Sequence, residues 1–487
     1  MWGRRGRGEY KIISTPALPP TTDLLVSSLS FITFIFFTTR FVVALNRYTK
    51  KTSHQLPPGP PTIPFFGNLL WFFIMPFSRV KALFLSLHER YGPIYTLYIG
   101  SKPLIVIASH SLAHQALIDN SIIFADRPQA MSTDKFLSCD QQNISSAFYS
   151  PTWLRLRRNL TYNILHTLRI KSFACALCSL LFCFGEKLED KKIQDIKDLQ
   201  RRLQLSFDEF KVLNLFPSLG KFVFHKRWEK LRQLRQDQEK LMVPLIKARK
   251  AMREGKNEKD EAFLPYVDTL FDLQLKEENR KLEEKEIVAL CSEFFTGGID
   301  TTSTTLEWIM ANLVKHPHIQ DKLFKEIKGV VSDGEVEIKD GDLRKMPYLR
   351  AVILESLRRH PPSHFLIPHT VTKNVVLGGF LVPKNSIVIF IVVETGRNPN
   401  VWENPMEFKP ERFLNNGDFD ISGTKEIKMM PFGVGKRMCP AYRLAMLHLK
   451  YFVANLVWHF NFNCFGEGVD LTEKHEFTAV MQNPRSK

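Results

Sequence analysis

Acid and cysteine are the two things this 487-residue chain has little of. Asp and Glu number 50 against 67 Lys and Arg, a net charge of +17 that suits nucleic acid, an anionic membrane surface or an acidic protein partner. The basic residues are dispersed, with no Lys/Arg block interleaved with aromatics, and this sets nucleic acid aside. Seven cysteines, an odd number at irregular spacing, form no disulfide framework and point to folding in reducing surroundings. Cys175, Cys178 and Cys183 lie close together, yet no second Cys pair or His pair follows and Leu, Phe and Ala surround them. They read as small buried residues on a helix rather than a metal cluster. Internal repeats and a second catalytic domain are also lacking.

What is present is apolar bulk: 44% hydrophobic residues, 12% aromatic, with 39 Phe. That favours a packed interior with a pocket for a flat or lipophilic ligand. The chain divides into a basic prefix (1–23), a transmembrane anchor (24–45), a basic and proline-rich hinge (46–61) and a catalytic domain (62–487). Leu24 to Leu45 comes close to the ~20 apolar residues a membrane span requires, and Arg40 near one end can snorkel to the interface. A cleaved signal peptide is the alternative, but Arg47, Lys50 and Lys51 follow where small residues would mark cleavage. Basic residues flank the span on both sides, so charge does not orient it. Pro57-Pro58-Gly59-Pro60-Pro61 is then an extended, stiff connector.

Beyond the connector, Pro93 to Ser109 alternates like a hairpin, and Val371 to Val393 is a second strand-rich patch turning at Gly378-Gly379. Helical periodicity dominates elsewhere, over roughly 190–250, 283–315 and 342–360. The expected fold is therefore mainly α with small β-sheets, as one catalytic domain.

Three segments carry chemistry. In Pro431 to Leu449 a Gly-rich loop delivers Cys439 to the start of an apolar-periodic helix, where the helix N-terminus, Lys436 and Arg437 all favour the metal-binding thiolate. A cysteine before a helix also serves as a purely structural residue, and these residues alone leave both roles open. Glu355 and Arg358, three apart in a helical stretch, share one face; the bland reading is a surface ion pair. Phe295 to Thr302 sits inside a helical pattern although its adjacent glycines, Gly297 and Gly298, cost roughly 1 kcal/mol each there. Either the helix breaks or caps at Asp300, or something other than stability selects these residues.

Phe432, Gly435, Arg437 and Cys439 match the pattern Phe-x-x-Gly-x-Arg-x-Cys-x-Gly, which resembles the haem-binding loop of the cytochrome P-450 superfamily; Ala441 replaces its final Gly. Glu355 to Arg358 resembles the family's Glu-x-x-Arg motif, and Phe408 to Phe413, containing Arg412, resembles its partner segment. The resemblance runs from the proline hinge nearly to the carboxyl end and looks closest to plant microsomal A-type members, especially family 89. It implies a cytochrome P-450 fold in which Cys439 is the axial ligand of haem iron and Arg437 pairs with a haem propionate. Glu355, Arg358 and Arg412 would form a buried network fixing the cysteine loop, and Gly297 and Gly298 would admit dioxygen. Asp300 and Thr301 would relay protons to it. Trp153, Arg157 and His369 would contact the propionates, and Arg155, Arg158 and Arg443 would face an acidic flavoprotein reductase. Phe294, Phe365 and Leu366 would line the substrate pocket, whose other residues lie in variable loops around 120–150 and 205–225.

The implied activity is insertion of one oxygen atom of dioxygen into a lipophilic small molecule, with NADPH electrons delivered by the reductase. The implied location is the endoplasmic reticulum membrane, single-pass with the catalytic domain cytosolic, ahead of a plastid. Two departures stand out. The prefix before the anchor is one that family members generally lack. The segment between Trp153 and Leu180 to Gly185 is short by about one helix of ~11 to 12 residues. The rival readings are a haem-binding pseudoenzyme inactivated by that shortening and a membrane scaffold without cofactor.

Overall fold

The computed structural model describes residues 55–63, 66–69, 71, 75–165, 183–185, 188–214, 220–255, 264–275, 278–331, 338–414, 419–464, 468–476 and 478–483, together with Thr38. The proposed anchor apart from Thr38, Cys175 and Cys178 lie outside these, as does most of the shortened stretch. Among the described residues no helix is long and apolar enough to cross a membrane.

The hairpin is where alternation puts it. Strand β1 (Ile94–Ile99) pairs antiparallel with β2 (Lys102–Ile107), and both bury an apolar run. The proline connector is docked rather than free: Thr96 donates its N–H to the Pro58 carbonyl at 2.8 Å and its hydroxyl to the Pro57 carbonyl at 2.8 Å. Gly59 permits this approach, since a Cβ there would fall 2.0 Å from the Thr96 carbonyl oxygen. The second strand-rich patch divides. Short strands β4 (Val375–Leu377) and β5 (Phe380–Val382) form a hairpin across Gly378-Gly379, while β6 (Ile387–Phe390) runs parallel to β2 and antiparallel to β3 (His369–Thr370). Sheet order is thus β1-β2-β6-β3.

Helices make up most of the rest. Helix α1 (Phe77–Tyr91) precedes the sheet, and α2 (Pro151–Asn159) starts on a Ser150 cap with Pro151 in its first turn. The helical pattern over 190–250 resolves into α3 (Asp190–Leu205) and α4 (His225–Glu254), separated by short turns. The pattern over 283–315 is two helices, α5 (Glu284–Gly298) and α6 (Asp300–Lys315), meeting at Ile299. A capping box between Glu283 and Glu286 starts α5. Helix α7 (Pro347–Arg359) is buried along most of its length, and α8 (Tyr442–His459) follows the cysteine loop. The strands β7 (Glu473–His475) and β8 (Ala479–Met481) close the fold.

One apolar cluster positions the site. Ala441, Leu444 and Leu447 at the start of α8 pack with Cys291, Phe295 and Ile299 of the α5–α6 region. The cysteine loop and the glycine break are thereby held against each other. Cys183 is wholly buried in the same cluster, in keeping with a small core residue. No group of three metal-ligating side chains suited to an ion occurs among the described residues.

Candidate functional site

The cysteine loop closes on itself. The Cys439 N–H donates to the Phe432 carbonyl at 2.8 Å, with one 3-10 turn at Gly435–Arg437 between. Gly435 has φ +72°, and a Cβ there would lie 2.1 Å from the Leu117 carbonyl oxygen, so no larger residue fits. Gly433, also at positive φ, faces the Leu366 side chain at 3.5 Å from where its Cβ would sit.

Burial pushes the Cys439 thiol above its ordinary pKa, while the Ala441 N–H, which bonds the sulfur, and the Arg157 guanidinium pull it down. This corrects the expectation that Lys436 and Arg437 stabilise the thiolate. Lys436 is exposed, and Arg437 turns away to three carbonyls: Ala125 at 2.7 Å, Ala147 at 2.7 Å and Ile144 at 3.3 Å. A bound metal cation would itself hold a coordinating thiol deprotonated.

Around the loop the structure gathers an unusual density of positive charge. Arg437 lies over the Trp153 ring at 4.1 Å, and Arg157 lies 5.4 Å from the same ring. Trp153 donates its indole N–H to the Ile144 carbonyl at 2.8 Å, and Arg157 donates to the Met438 carbonyl, one residue before the cysteine. His369 Nδ1 donates to the Phe124 carbonyl at 2.6 Å.

Arg127, which sequence reasoning missed, completes the set. It donates to the carbonyls of Ser145 at 2.8 Å, Ile367 at 2.7 Å and Pro368 at 3.0 Å. Burial first, then repulsion from Arg437 and Arg157, pushes its pKa down to about 9. Burial likewise pushes Arg437 down to about 10 and His369 down to about 3. Asp126 and Glu293 are the acids that counter them, and Glu293 is occupied: it accepts the N–H groups of Ile144 at 2.8 Å and Ser145 at 2.6 Å. The sequence cue to Arg127 is an Arg between Asp126 and Pro128, in a stretch that has no periodicity to read.

Three guanidiniums with so little opposing charge form a receptor for anions. A flat group carrying two carboxylates and a metal that takes a thiolate matches this donor set, and haem fits it.

The Glu355 network is buried as expected. Arg358 grips both Glu355 oxygens at 2.7 and 2.8 Å, Arg412 reaches the same carboxylate at 3.4 Å, and the Lys409 N–H reaches it at 2.8 Å. Glu355 and Arg358 have no solvent exposure, so the surface-pair reading is excluded. Arg358 also lies 5.3 Å from the Trp402 ring, and Trp402 donates to the Lys428 carbonyl at 3.2 Å, just before the cysteine loop.

The proton-relay residues do not face the same way. Gly298 ends α5, and outside its own helix turn no described atom lies within 4 Å of where a Cβ on Gly297 would sit. Thr301 donates its hydroxyl to the Gly297 carbonyl at 2.8 Å. Asp300 instead sits 3.5 Å from Arg201 of α3 and accepts from Thr478 at 3.0 Å. Adjacent helical residues diverge by about 100°, so the two side chains serve different neighbours.

Among the expected pocket residues, Phe294 packs against Tyr266 at 5.3 Å and Leu366 abuts Gly433. Phe365 packs against the core beneath the sheet, edge-on to Phe84 at 5.2 Å. Arg158 and Arg443 are exposed, and Arg155 is partly exposed and bonded to the Gln274 carbonyl at 2.5 Å.

Comparison with known proteins agrees with this geometry. The family model described as Cytochrome P450 matches residues 57–175 and 168–487. The Arabidopsis thaliana protein Cytochrome P450 89A9 is 44% identical, with 95% of this chain and 96% of the relative covered. Norfluorocurarine oxidase from Strychnos sp is 30% identical over 96% of this chain and 97% of the relative. A solved zebra fish cytochrome P450 with progesterone shares the fold at a TM-score of 0.68 and 24% identity, covering 84% of this chain and 98% of its own. The alignment with the Arabidopsis protein spans 513 positions, more than this chain's 487 residues, so that relative carries stretches missing here. With the family model matched from the proline connector to the last residue, this chain belongs to the cytochrome P450 family and is a monooxygenase of the oxidoreductase class.

Proposed function

We propose that Cys439 ligates haem iron and that the enzyme inserts one oxygen atom of dioxygen into a lipophilic small molecule, the other atom leaving as water. NADPH supplies the electrons through a flavoprotein reductase. The observation that carries this reading is the Arg157 guanidinium beside the Cys439 thiol, with Arg127 and Arg437 gathered around Arg157. Bound haem supplies the binding and activation of dioxygen, which no side chain here can perform.

The chain's own residues supply the rest. Arg127, Arg157 and Arg437, with Trp153 and His369, would hold the carboxylates of the haem, and Phe432 and Gly435 would shape the cysteine loop that receives it. Glu355, Arg358 and Arg412 keep that loop in place through Trp402. Gly297 leaves space beside α5, where Gly298 ends the helix, and Thr301 would hold a hydroxyl proton on Oγ1 for delivery there. Asp300, tied to Arg201 and Thr478, connects that turn to the molecular surface.

Arg158 and Arg443, both exposed, and the partly exposed Arg155 are the proposed contacts for an acidic reductase surface. Leu24 to Leu45 is the proposed single membrane span, with the catalytic domain on the cytosolic side of the endoplasmic reticulum.

The test is the absorption spectrum of the reduced, carbon monoxide-bound protein. A strongly red-shifted Soret band supports the thiolate; its absence, or its survival in Cys439→Ser, overturns the assignment. A second reading, a haem-binding pseudoenzyme, is favoured by one observation: the family match comes in two stretches that overlap at 168–175, within the segment that the sequence reading takes as shortened. NADPH-driven product formation with reductase separates the two.

A further inference from the structure

Residues 143–147 form neither helix nor strand, yet their carbonyls receive the side chains that build the anion receptor. The Ile144 carbonyl accepts the Trp153 indole N–H at 2.8 Å and Arg437 at 3.3 Å. The Ser145 carbonyl accepts Arg127 at 2.8 Å, the Ser146 carbonyl the Gln141 amide at 2.7 Å, and the Ala147 carbonyl Arg437 at 2.7 Å. Four consecutive carbonyls are thus engaged by side chains, and Trp153, Arg127 and Arg437 all belong to the receptor. Their positions are as good as that of the turn they bond.

No ladder of backbone bonds fixes such a turn, so the partners of its N–H groups show what does. Asn143 Oδ1 accepts the Ser146 N–H at 3.0 Å, within the turn itself. The other two reach out of it. The Ile144 and Ser145 N–H groups donate to different oxygens of one carboxylate, Glu293, at 2.8 and 2.6 Å. Glu293 lies on α5, 149 positions from Ile144 and one helical turn before Gly297. Two bonds to one planar carboxylate fix orientation as well as distance. Burial raises the Glu293 pKa, and the Ser145 hydroxyl, the two N–H groups and Arg127 oppose it by favouring the charged form.

We propose that Glu293 is a positioning residue for haem: it holds the 143–147 turn so that Trp153, Arg127 and Arg437 are set to receive the haem carboxylates. This rests on the haem-thiolate reading of the same site and names the residue of the central helix on which the receptor depends. A receptor whose supporting groups are fixed in advance spends less binding energy on ordering itself, and one whose support is loosened releases its ligand faster.

The full-chain holoenzyme is mixed with excess apomyoglobin, and haem transfer is followed by absorbance. Glu293→Gln keeps one acceptor oxygen but sets an NH2 against the other N–H, and haem loss is expected to quicken about tenfold. Glu293→Asp, with both oxygens on a shorter arm, is expected to recover part of that factor. Trp153→Phe keeps a ring for the arginines and loses the bond to the Ile144 carbonyl. Because both changes loosen one turn, the double variant is expected to lose haem more slowly than the product of the two single factors. Ser292→Ala, the neighbouring residue of α5, whose hydroxyl bonds Gln200 rather than the turn, is expected to lower the thermal midpoint without quickening haem loss. Wild-type haem loss in Glu293→Gln, fully multiplicative factors in the double variant, or equally fast loss in Ser292→Ala each overturns the proposal. If Glu293→Gln does not accumulate with haem, the same cycle is run with Glu293→Asp. Failure of the haem-thiolate reading is separate, since it removes the red-shifted carbon monoxide band from wild type itself.

Discussion

The guanidinium carbon of Arg437 lies 4.1 Å from the centroid of the Trp153 ring, stacking the arginine two residues before Cys439 on a tryptophan nearly three hundred residues earlier. This contact joins α2 to the cysteine loop and holds Arg437 beside Arg127 and Arg157. A cation over a desolvated indole contributes up to about 2 kcal/mol. Trp153→Leu should therefore lower haem retention, measured as haem per mole of purified protein, by about tenfold. Arg437→Ala should lower it further, because the anion receptor then loses a charge as well.

Among the described residues, Glu355 is the only acidic side chain that pairs with both Arg358 and Arg412. Glu355→Ala would strand a fully buried guanidinium at a cost of about 3 to 5 kcal/mol. Denaturant titration should show that loss, or the variant should accumulate without a carbon monoxide band. Arg412→Lys should be milder, because Arg412 reaches only one Glu355 oxygen, at 3.4 Å, and its other bonds go to the Glu403 and Asn404 carbonyls.

Thr301 and Asp300 should separate experimentally, since their side chains serve different neighbours. Thr301→Ala should leave NADPH consumption largely intact while product formation falls by about a hundredfold, the scale of a lost proton donor. Asp300→Asn should also lose the ion pair with Arg201, a partly exposed pair worth at most about 1 kcal/mol, while its amide oxygen still accepts from Thr478. A small drop in thermal midpoint, absent in Thr301→Ala, distinguishes them.

Acid sensitivity should centre on Glu473. It is ringed by His360 at 2.9 Å, His364 at 3.3 Å, Lys81 at 2.5 Å and Arg397, all anchoring the β7–β8 hairpin. Burial pushes His360 down to about 4, so the folded state resists a proton that the unfolded chain accepts near the usual histidine value of about 6.5. Stability should then fall as pH drops from about 6.5 to 4, the window in which the unfolded state binds more protons. Glu473 is held well below the usual carboxylate range by its histidine and cationic partners. Its contribution is present above about pH 4.3 and is lost as pH falls further. Thermal midpoints across this range should flatten between 6.5 and 4 in His360→Gln, which retains a donor for Glu473 but does not titrate there.

Local features were legible in the chain itself. The β1–β2 hairpin, the turn at Gly378-Gly379, the Glu355–Arg358 spacing and the weak helix at Gly297 to Thr302 depend on residues a few positions apart. Arg127 and Glu293 were not legible. Their roles come from backbone groups in 143–147 and 367–368, brought to them by packing alone.

The sequence by itself therefore determined which residue types stand at the cysteine loop, the charged pair and the glycine break, because periodicity and turn chemistry act over a single turn or strand. Only the tertiary structure decided what those residues face. Asp300 meets Thr478 across 178 positions, and Arg437 meets the Ala125 carbonyl across 312. Such contacts arise when apolar faces pack, and burial then forces each polar group onto whichever partner the packing leaves within reach.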